Sequence, residues 1–166
     1  MKTAYFDCFS GISGDMIVGA LIDLGADLEA IRKSLETLPI EGYRLQRREV
    51  KRCGIAATRF EVVLDKTERD LHGHHEHRAY SDIESILSKS GLSDRVKEGA
   101  AAAYRRIAEA ESHVHRRPVD NIHFHEVGSI DAIVDVTAAF VALELLGVEE
   151  VWASEIVTGY GTVNGR

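Results

Sequence analysis

All eight histidines of this chain lie between residues 72 and 125, in three short clusters. Neutral imidazole is the most common protein ligand for late first-row transition metals, and carboxylate oxygens can complete such a site. Thiolate ligands are scarce, because the chain has only two cysteines. The pattern therefore predicts chemistry with nickel, zinc, copper or cobalt.

The third cluster combines imidazole with a carboxylate. If this segment is extended, the side chains of His123 and His125 share one face while Phe124 points into the core. Glu126 follows directly and can supply an oxygen ligand. We therefore expect His123, His125 and Glu126 to form an ordered metal site.

Two carboxylates follow on an otherwise apolar segment. Asp131 and Asp135 are one helical turn apart, and like charges at that spacing cost roughly 0.2–0.5 kcal/mol, or more when they are desolvated. A metal ion or a basic substrate group would compensate, which makes Asp131 a candidate catalytic residue. In the alternative interpretation, Asp131 complements the helix dipole and Asp135 contacts a basic side chain.

The first histidine cluster lies in a polar stretch that is expected to be a mobile loop. It contains His72, His74, His75 and His77. These residues cannot form a rigid site unaided, so we expect a flexible collector that raises the local metal concentration, the alternative being an ordinary solvated loop. His113 and His115 are expected near a helix end, where surface contacts with the helix dipole are favoured over metal ligation.

A turn of small residues near the N-terminus is the second candidate site. It follows a strand and opens a helix, so its backbone N–H groups can receive an anion. The candidate binding residues are Ser10, Gly11, Ser13 and Gly14. No P-loop lysine or nucleophile-elbow pattern is present. The alternative is a tight turn with Ser13 or Asp15 as helix cap.

Asp7 and Asp15 flank this turn, and both are candidate catalytic carboxylates. Asp7 ends an apolar strand beside the helix N-terminus, where it can reach a metal or substrate. Cys8 could be a nucleophile or thiolate ligand, but the sequence favours a buried, inert thiol.

The elements that must position these residues predict an α/β fold, a mixed β-sheet covered by helices. Strands are expected at residues 3–8, 43–51, 58–64, 123–127 and 151–157. Helices are expected at residues 16–24, 28–38, 81–88, 93–114 and 129–146. Ser81 and Glu84 would form a capping box at the start of the third helix. One face of the fourth helix would be formed by Val96, Ala100, Ala103, Ile107, Ala110 and Val114.

Composition limits the classes of function. The chain has 166 residues, which fits a single domain over 1–166, and 45% are hydrophobic. A formal charge of −7 argues against nucleic-acid binding and suits a protein that attracts cations. No apolar run reaches the roughly 20 residues that a membrane span needs, and two unpaired cysteines favour a cytoplasmic setting.

Two segments together resemble the nickel insertion proteins of the nickel-pincer cofactor pathway. They are residues 6–16, FDCFSGISGDM, and residues 123–135, HFHEVGSIDAIVD. The resemblance extends over essentially the whole chain, and the histidine-rich segment between the motifs also fits. It implies the N-terminal portion of such a protein, truncated before the C-terminal nucleotide-binding portion.

The resemblance implies a cyclometallase of the lyase class. Its substrates would be Ni²⁺ and pyridinium-3,5-bisthiocarboxylic acid mononucleotide, with CTP and Mn²⁺ or Mg²⁺ required only with the C-terminal portion. That portion is an implied partner. The recipient of the cofactor would be lactate racemase apoprotein or another nickel-pincer enzyme, and a homo-oligomer is a further expectation. The isolated N-terminal portion is expected to be inactive and unable to hydrolyse CTP.

Two other classes of function remain open from the residues. One is a nickel chaperone or store without chemistry. The other is a metal-dependent hydrolase that uses Asp7, His123, His125 and Asp131.

Overall fold

The computed structural model of the chain describes residues 1–65, 78–124 and 127–157. The loop residues His72, His74, His75 and His77 lie outside this part, as do His125, Glu126 and residues 158–166. Predictions about these residues stay predictions.

The predicted α/β class is confirmed, and parallel and antiparallel strand pairs both occur. Within the described residues the strands form three two-stranded sheets. Strands β1 (Thr3–Phe6) and β6 (Glu150–Ala153) are parallel, whereas β2 (Tyr43–Arg52) pairs antiparallel with β3 (Ile55–Leu64), and β4 (Arg78–Ala79) with β5 (His123–Phe124). The two ends of the chain's described part therefore meet in one sheet.

The described part of the chain contains five α-helices. They are α1 (Gly14–Asp23), α2 (Leu28–Leu35), α3 (Tyr80–Lys89), α4 (Asp94–His115) and α5 (Ile130–Leu145). Helices α1, α2 and α4 and strand β3 all pack against α5. No helix in the described ranges is long and apolar enough to cross a membrane.

Helix α5 lies at the centre of the core. Eight of its residues are buried, which explains why its sequence is apolar on nearly every side. The hydroxyl of the buried Thr137 donates to the carbonyl of Ile133 at 2.7 Å, so its polarity is satisfied within the helix. Asp131 and Asp135, near the start of this helix, are thus held by an element that is packed into the core.

The hairpin of β2 and β3 packs on α1 through a very close contact. A Cβ atom built on Gly19 would lie 2.4 Å from the carbonyl oxygen of Thr58, so only glycine allows this approach. Asp23, at the end of α1, accepts the backbone N–H of Thr58 at 2.9 Å. The predicted turn at Cys53 and Gly54 is confirmed, with positive φ at both residues, as in a two-residue hairpin turn.

The predicted capping box at the start of α3 is wrong. The helix begins at Tyr80 rather than after Ser81, and the carboxylate of Asp82 accepts the backbone N–H of Ala79 at 2.9 Å. Glu84 instead accepts the hydroxyl of Tyr80 at 2.7 Å. In the sequence, Asp82 follows Ala79 by three residues, and Glu84 follows Ser81 by three residues. Both possible helix starts therefore have an acidic residue at the capping-box position, and the sequence alone did not distinguish them.

The predicted inner face of α4 is correct only near its start. Val96 and Ala100 are buried as expected, but the buried stripe then continues through Tyr104 and Ala108. The predicted Val114 is exposed. The buried residues advance by four at each step, along the ridge by which helices pack at an angle, so the stripe departs from the expected face. Other differences are the earlier ends of α2 and β6.

Candidate functional site

The two segments that carry the sequence motifs meet at the N-terminal ends of α1 and α5. A Cβ atom built on Gly14 would lie 2.8 Å from Cβ of Asp135 and 3.3 Å from its Oδ2. The first turn of α1 therefore lies directly against the Asp135 side chain. This contact joins residues that are far apart in the sequence.

Asp135 is the most perturbed carboxylate in this region. Its side chain is half-buried, its Oδ1 atom is enclosed, and no hydrogen-bond partner for that atom exists among the described residues. Burial, followed by the charges of Asp15 and Asp131, raises the pKa of Asp135 from 3.8 to about 7. Near neutral pH this carboxyl group is therefore ready to gain or lose a proton. The alternative interpretation expected a basic side chain in contact with Asp135. No such contact is found in the described ranges.

Asp15, Asp131 and Asp135 form a carboxylate cluster, because the first two act electrostatically on the third. Ser13 is the residue before α1, and its hydroxyl donates to Oδ1 of Asp15. Ser13 occupies the N-cap position, as the alternative interpretation expected, but its side chain makes no capping hydrogen bond. Negative charge at this N-terminus opposes a phosphate there and favours a cationic group.

Tyr104 and Arg78 hold the loop that leads into α5. The hydroxyl of the buried Tyr104 donates to the carbonyl of Val127 at 3.2 Å, and Arg78 donates to the carbonyl of Gly128 at 2.9 Å. Burial and then the charges of Asp135 and Asp131 raise the pKa of Tyr104, and Arg78 opposes this shift. Both residues belong to the surroundings of the carboxylate cluster.

Sequence analysis missed Tyr104 and Arg78. Tyr104 follows a run of alanines that indicates only a tightly packed helix, and Arg78 borders the histidine-rich segment. No local pattern relates either residue to Asp135, so only tertiary structure brings them together. Asp135 itself had a signal, a second carboxylate one turn after Asp131 on an apolar helix.

The extended geometry predicted around His123 is confirmed as far as the structure describes it. His123 lies exposed on β5, opposite Ala79, and the next side chain, Phe124, is buried and packs near the ring of Tyr104. Among the described residues, no group of three or more histidine, cysteine and carboxylate side chains is arranged to hold a metal. A site that also uses His125 and Glu126 stays a prediction.

The remaining candidates fall into an exposed and a buried class. Asp7 and Asp131 are exposed, and Asp131 Oδ1 accepts the N–H of Ala132 at 3.0 Å. Cys8 is buried, and its backbone N–H donates to the hydroxyl of Ser154 at 2.7 Å. The preference for a buried Cys8 thiol is confirmed.

The histidines at the end of α4 lie where the sequence placed them. His113 and His115 occupy the last turn of the helix, and His115 lies 3.0 Å from the carboxylate of Glu111. Both side chains are exposed. Their position supports the interpretation that both are surface residues. Their imidazoles can also serve as controls in nickel-binding experiments.

Comparison with known proteins identifies the family. The sequence profile described as "Nickel insertion protein" matches residues 4–166. A "Putative nickel insertion protein" of Geobacter sp. (strain M21) is 50% identical over 169 residues, covering 100% of this chain and 42% of the relative. The "Pyridinium-3,5-bisthiocarboxylic acid mononucleotide nickel insertion protein" of Geobacillus kaustophilus (strain HTA426) is 45% identical, covering 98% of this chain and 40% of the relative.

A third relative, the "Putative nickel insertion protein" of Dictyoglomus thermophilum, is 43% identical over 164 residues, which cover 99% of this chain. The chain spans about two fifths of the length of these relatives. No solved structure matches it. The profile match extends over nearly the whole sequence and includes both motifs that meet at the carboxylate cluster. The chain belongs to the nickel insertion protein family.

Proposed function

We propose that this chain is the N-terminal portion of an enzyme that inserts nickel into pyridinium-3,5-bisthiocarboxylic acid mononucleotide. Family membership and the name of the Geobacillus relative support this choice of substrate. The observation that carries a catalytic role is the half-buried carboxyl of Asp135, which has an enclosed oxygen without a hydrogen-bond partner among the described residues. The expected product contains two nickel–sulfur bonds and one nickel–carbon bond.

Asp135 is proposed to accept the proton that metallation releases. When nickel replaces hydrogen on the ring carbon, the C–H bond breaks, a Ni–C bond forms and one proton must leave. The step needs no oxidant or reductant. A carboxylate whose pKa is about 7 can take this proton at neutral pH and release it to water afterwards. Asp15 and Asp131 support the role because their charges help to raise that pKa.

The charge of the cluster also suits the substrate ring. A pyridinium ring carries a positive charge, and the cluster of Asp15, Asp131 and Asp135 supplies negative charge on one side of the site. The mononucleotide phosphate is proposed to bind at the start of the turn, at Ser10 and Gly11. The other two predicted binding residues, Ser13 and Gly14, lie beside the carboxylates of Asp15 and Asp135, which disfavour an anion there.

Nickel handling is proposed to be divided between two groups of histidines. His72, His74, His75 and His77 would collect Ni²⁺, while His123, His125 and Glu126 would hold it for insertion. Asp7 remains a candidate carboxylate beside the turn. CTP with Mn²⁺ or Mg²⁺ is proposed to be needed only when the remaining portion of the protein is present. The protein is proposed to act in the cytoplasm. Lactate racemase apoprotein or another nickel-pincer enzyme would receive the product.

Product formation tests the role of Asp135. The test protein is a chimera in which residues 1–166 replace the matched segment of the Geobacter sp. (strain M21) relative. It would be incubated with Ni²⁺, the mononucleotide, CTP and Mn²⁺, and the nickel-containing product measured by mass spectrometry. Asp135→Asn should lower the rate by about 100-fold or more, the usual contribution of a general base.

The matched control is Asp94→Asn, since Asp94 is an exposed carboxylate in the first turn of α4. That variant should keep the full rate. An Asp135→Asn chimera that is as active as the parent would contradict the proposal. Nickel binding without product by the parent chimera would favour a chaperone, and phosphoester turnover without nickel or CTP would favour a hydrolase.

Nickel titrations of the 166-residue chain separate the two histidine groups. The double variant His123→Ala and His125→Ala should lose the tight component of binding, because imidazole is the preferred ligand there. Substituting the four loop histidines should lower the number of bound ions, leave the tight component and barely change the melting temperature. In the parent, tight binding should weaken in acid, because protons compete with the metal for the imidazole nitrogens.

The control for this experiment is His113→Ala with His115→Ala, which removes two exposed imidazoles from the end of α4. Its tight binding should match that of the parent chain. Unchanged tight binding in the His123 and His125 variant would refute the ordered site. A large loss of metal-free stability in the loop variant would refute a collector role for an unpacked loop.

A further inference from the structure

The sheet of β1 and β6 has one face that faces the core and one that does not. Phe6 packs against the core, and side chains alternate between faces along a strand, so Tyr5 points to the opposite side. Trp152 lies directly opposite Tyr5 in the parallel register. Tyr5 is 65% exposed and Trp152 is 59% exposed. Two large aromatic side chains thus lie next to each other on the outer face.

More exposed apolar side chains follow the carboxyl ends of the two strands. Phe9 is 75% exposed after β1, and Ile156 and Val157 are both more than half exposed after β6. The two segments run beside each other, because a Cβ atom on Gly11 would lie 3.6 Å from the carbonyl oxygen of Val157. The outer-face aromatics, together with these three exposed residues that directly follow the same two strands, are here called the β1–β6 face.

A free surface of this kind is unusual for a parallel sheet. Parallel strands occur almost always in sheets that are covered on both faces, whereas antiparallel sheets commonly leave one face in water. Exposed apolar patches on soluble proteins mark interaction surfaces. Within the described part of the chain, β1 and β6 pair only with each other. Both the composition and the topology of the β1–β6 face indicate that another polypeptide segment covers it.

We propose that the β1–β6 face is the docking surface for the portion of the longer protein that lies outside the present match. In the Geobacter and Geobacillus relatives, more than half of the length is outside that match. A tethered segment reaches the face at a high effective concentration. A second copy of this chain is disfavoured, because each copy has a formal charge of −7. The inference rests on family membership and not on the proposed nickel chemistry.

Hydrogen exchange measured by mass spectrometry tests this docking. The chimera defined above is compared with the 166-residue chain, and peptides that contain β1 and β6 are followed. Amide exchange in these peptides should be at least about tenfold slower in the chimera, because the docked segment must leave before the strands open. Peptides from the exposed tip of the β2–β3 hairpin, around Ile55, should exchange equally in both proteins. Exchange in α5 verifies that both proteins are folded.

A pair of variants separates docking from general stabilisation. Tyr5→Ser with Trp152→Ser should abolish the extra protection in the chimera and leave the melting temperature of the 166-residue chain nearly unchanged, since both side chains are exposed there. The control Leu24→Ser with Ile55→Ser, at two other exposed apolar positions, should keep the protection. Equal exchange of β1 and β6 in the two parent proteins would overturn the proposal. Protection that appears in the 166-residue chain as its concentration rises would assign the face to a second copy and would also overturn it.

Discussion

Replacing Asp135 by Asn is expected to make the protein more stable at pH 8 while it removes the proposed proton acceptor. The ionised carboxylate is penalised by burial and by the charges of Asp15 and Asp131, and Asn has nearly the same shape without the charge. A shift from 3.8 to about 7 corresponds to about 4 kcal/mol at 1.36 kcal/mol per pKa unit. Since the side chain is only half-buried, solvent screening reduces the expected gain to about 1–2 kcal/mol.

The pH dependence of this gain has a definite sign. The folded state holds the Asp135 proton more tightly than the unfolded state, so the parent protein loses stability as the pH rises from about 4 to about 7. The amide that replaces the carboxyl group in the Asn variant does not titrate in this pH range. Its advantage, measured by urea unfolding, should therefore be smallest near pH 4, grow up to about pH 7 and stay constant above that value.

Asp23 provides a control of the opposite sign. Its hydrogen bonds with Thr58 lower the pKa of this carboxyl, so it stabilises the fold above its unfolded pKa and loses that effect in acid. Asp23→Asn should thus destabilise the protein at pH 8. If Asp135→Asn destabilises at pH 8 as well, the Asp135 carboxylate is paired and the proposed environment is wrong.

Gly19→Ala is expected to destabilise the protein strongly, although the change adds only one methyl group. The new Cβ would lie 2.4 Å from the Thr58 carbonyl oxygen, and the β2–β3 hairpin would have to move away from α1. Overpacking costs about 1–3 kcal/mol and sometimes more, whereas alanine returns at most about 1 kcal/mol of helix propensity. Because the clash is with backbone, we expect a net loss of about 3 kcal/mol, seen as a melting temperature about 6–12 °C lower.

Gly99→Ala in α4 is the matched control. There the new Cβ would lie 2.6 Å from ring carbons of Phe140, which is a side chain that can rotate away. The same change should therefore cost much less than at Gly19. Equal melting temperatures for the Gly19→Ala variant and the parent protein would show that the hairpin does not pack on α1 as closely as described.

Local chemistry made several elements predictable. Cys53 and Gly54 between two strand-like runs indicated the hairpin, and Ser93 and Ser129 indicated where α4 and α5 begin. These signals are short-range, since a turn or helix start depends on a few neighbouring residues. The start of α3 was not predictable in the same way, because Asp82 and Glu84 each follow a possible cap residue by three positions and only Asp82 accepts a backbone N–H there.

The candidate site was predictable only in its parts. Sequence patterns selected the turn before α1 and the carboxylates of α5, but not their contact at Gly14 and Asp135. The raised pKa of Asp135 depends on burial and on a charge from α1, and neither has a sequence signature. Tyr104 was not expected near the site, because the buried face of α4 differs from the face that the sequence predicted. Long-range packing therefore decided the electrostatics of the site.

The central position of α5 has a consequence for how the site responds to heat. Asp131 and Asp135 are carried by a helix whose backbone is enclosed by α1, α2, α4 and β3, so its amide groups can open only when much of the domain opens. A site on such an element has no melting transition of its own. We therefore expect Asp135 to keep its surroundings until the domain as a whole unfolds.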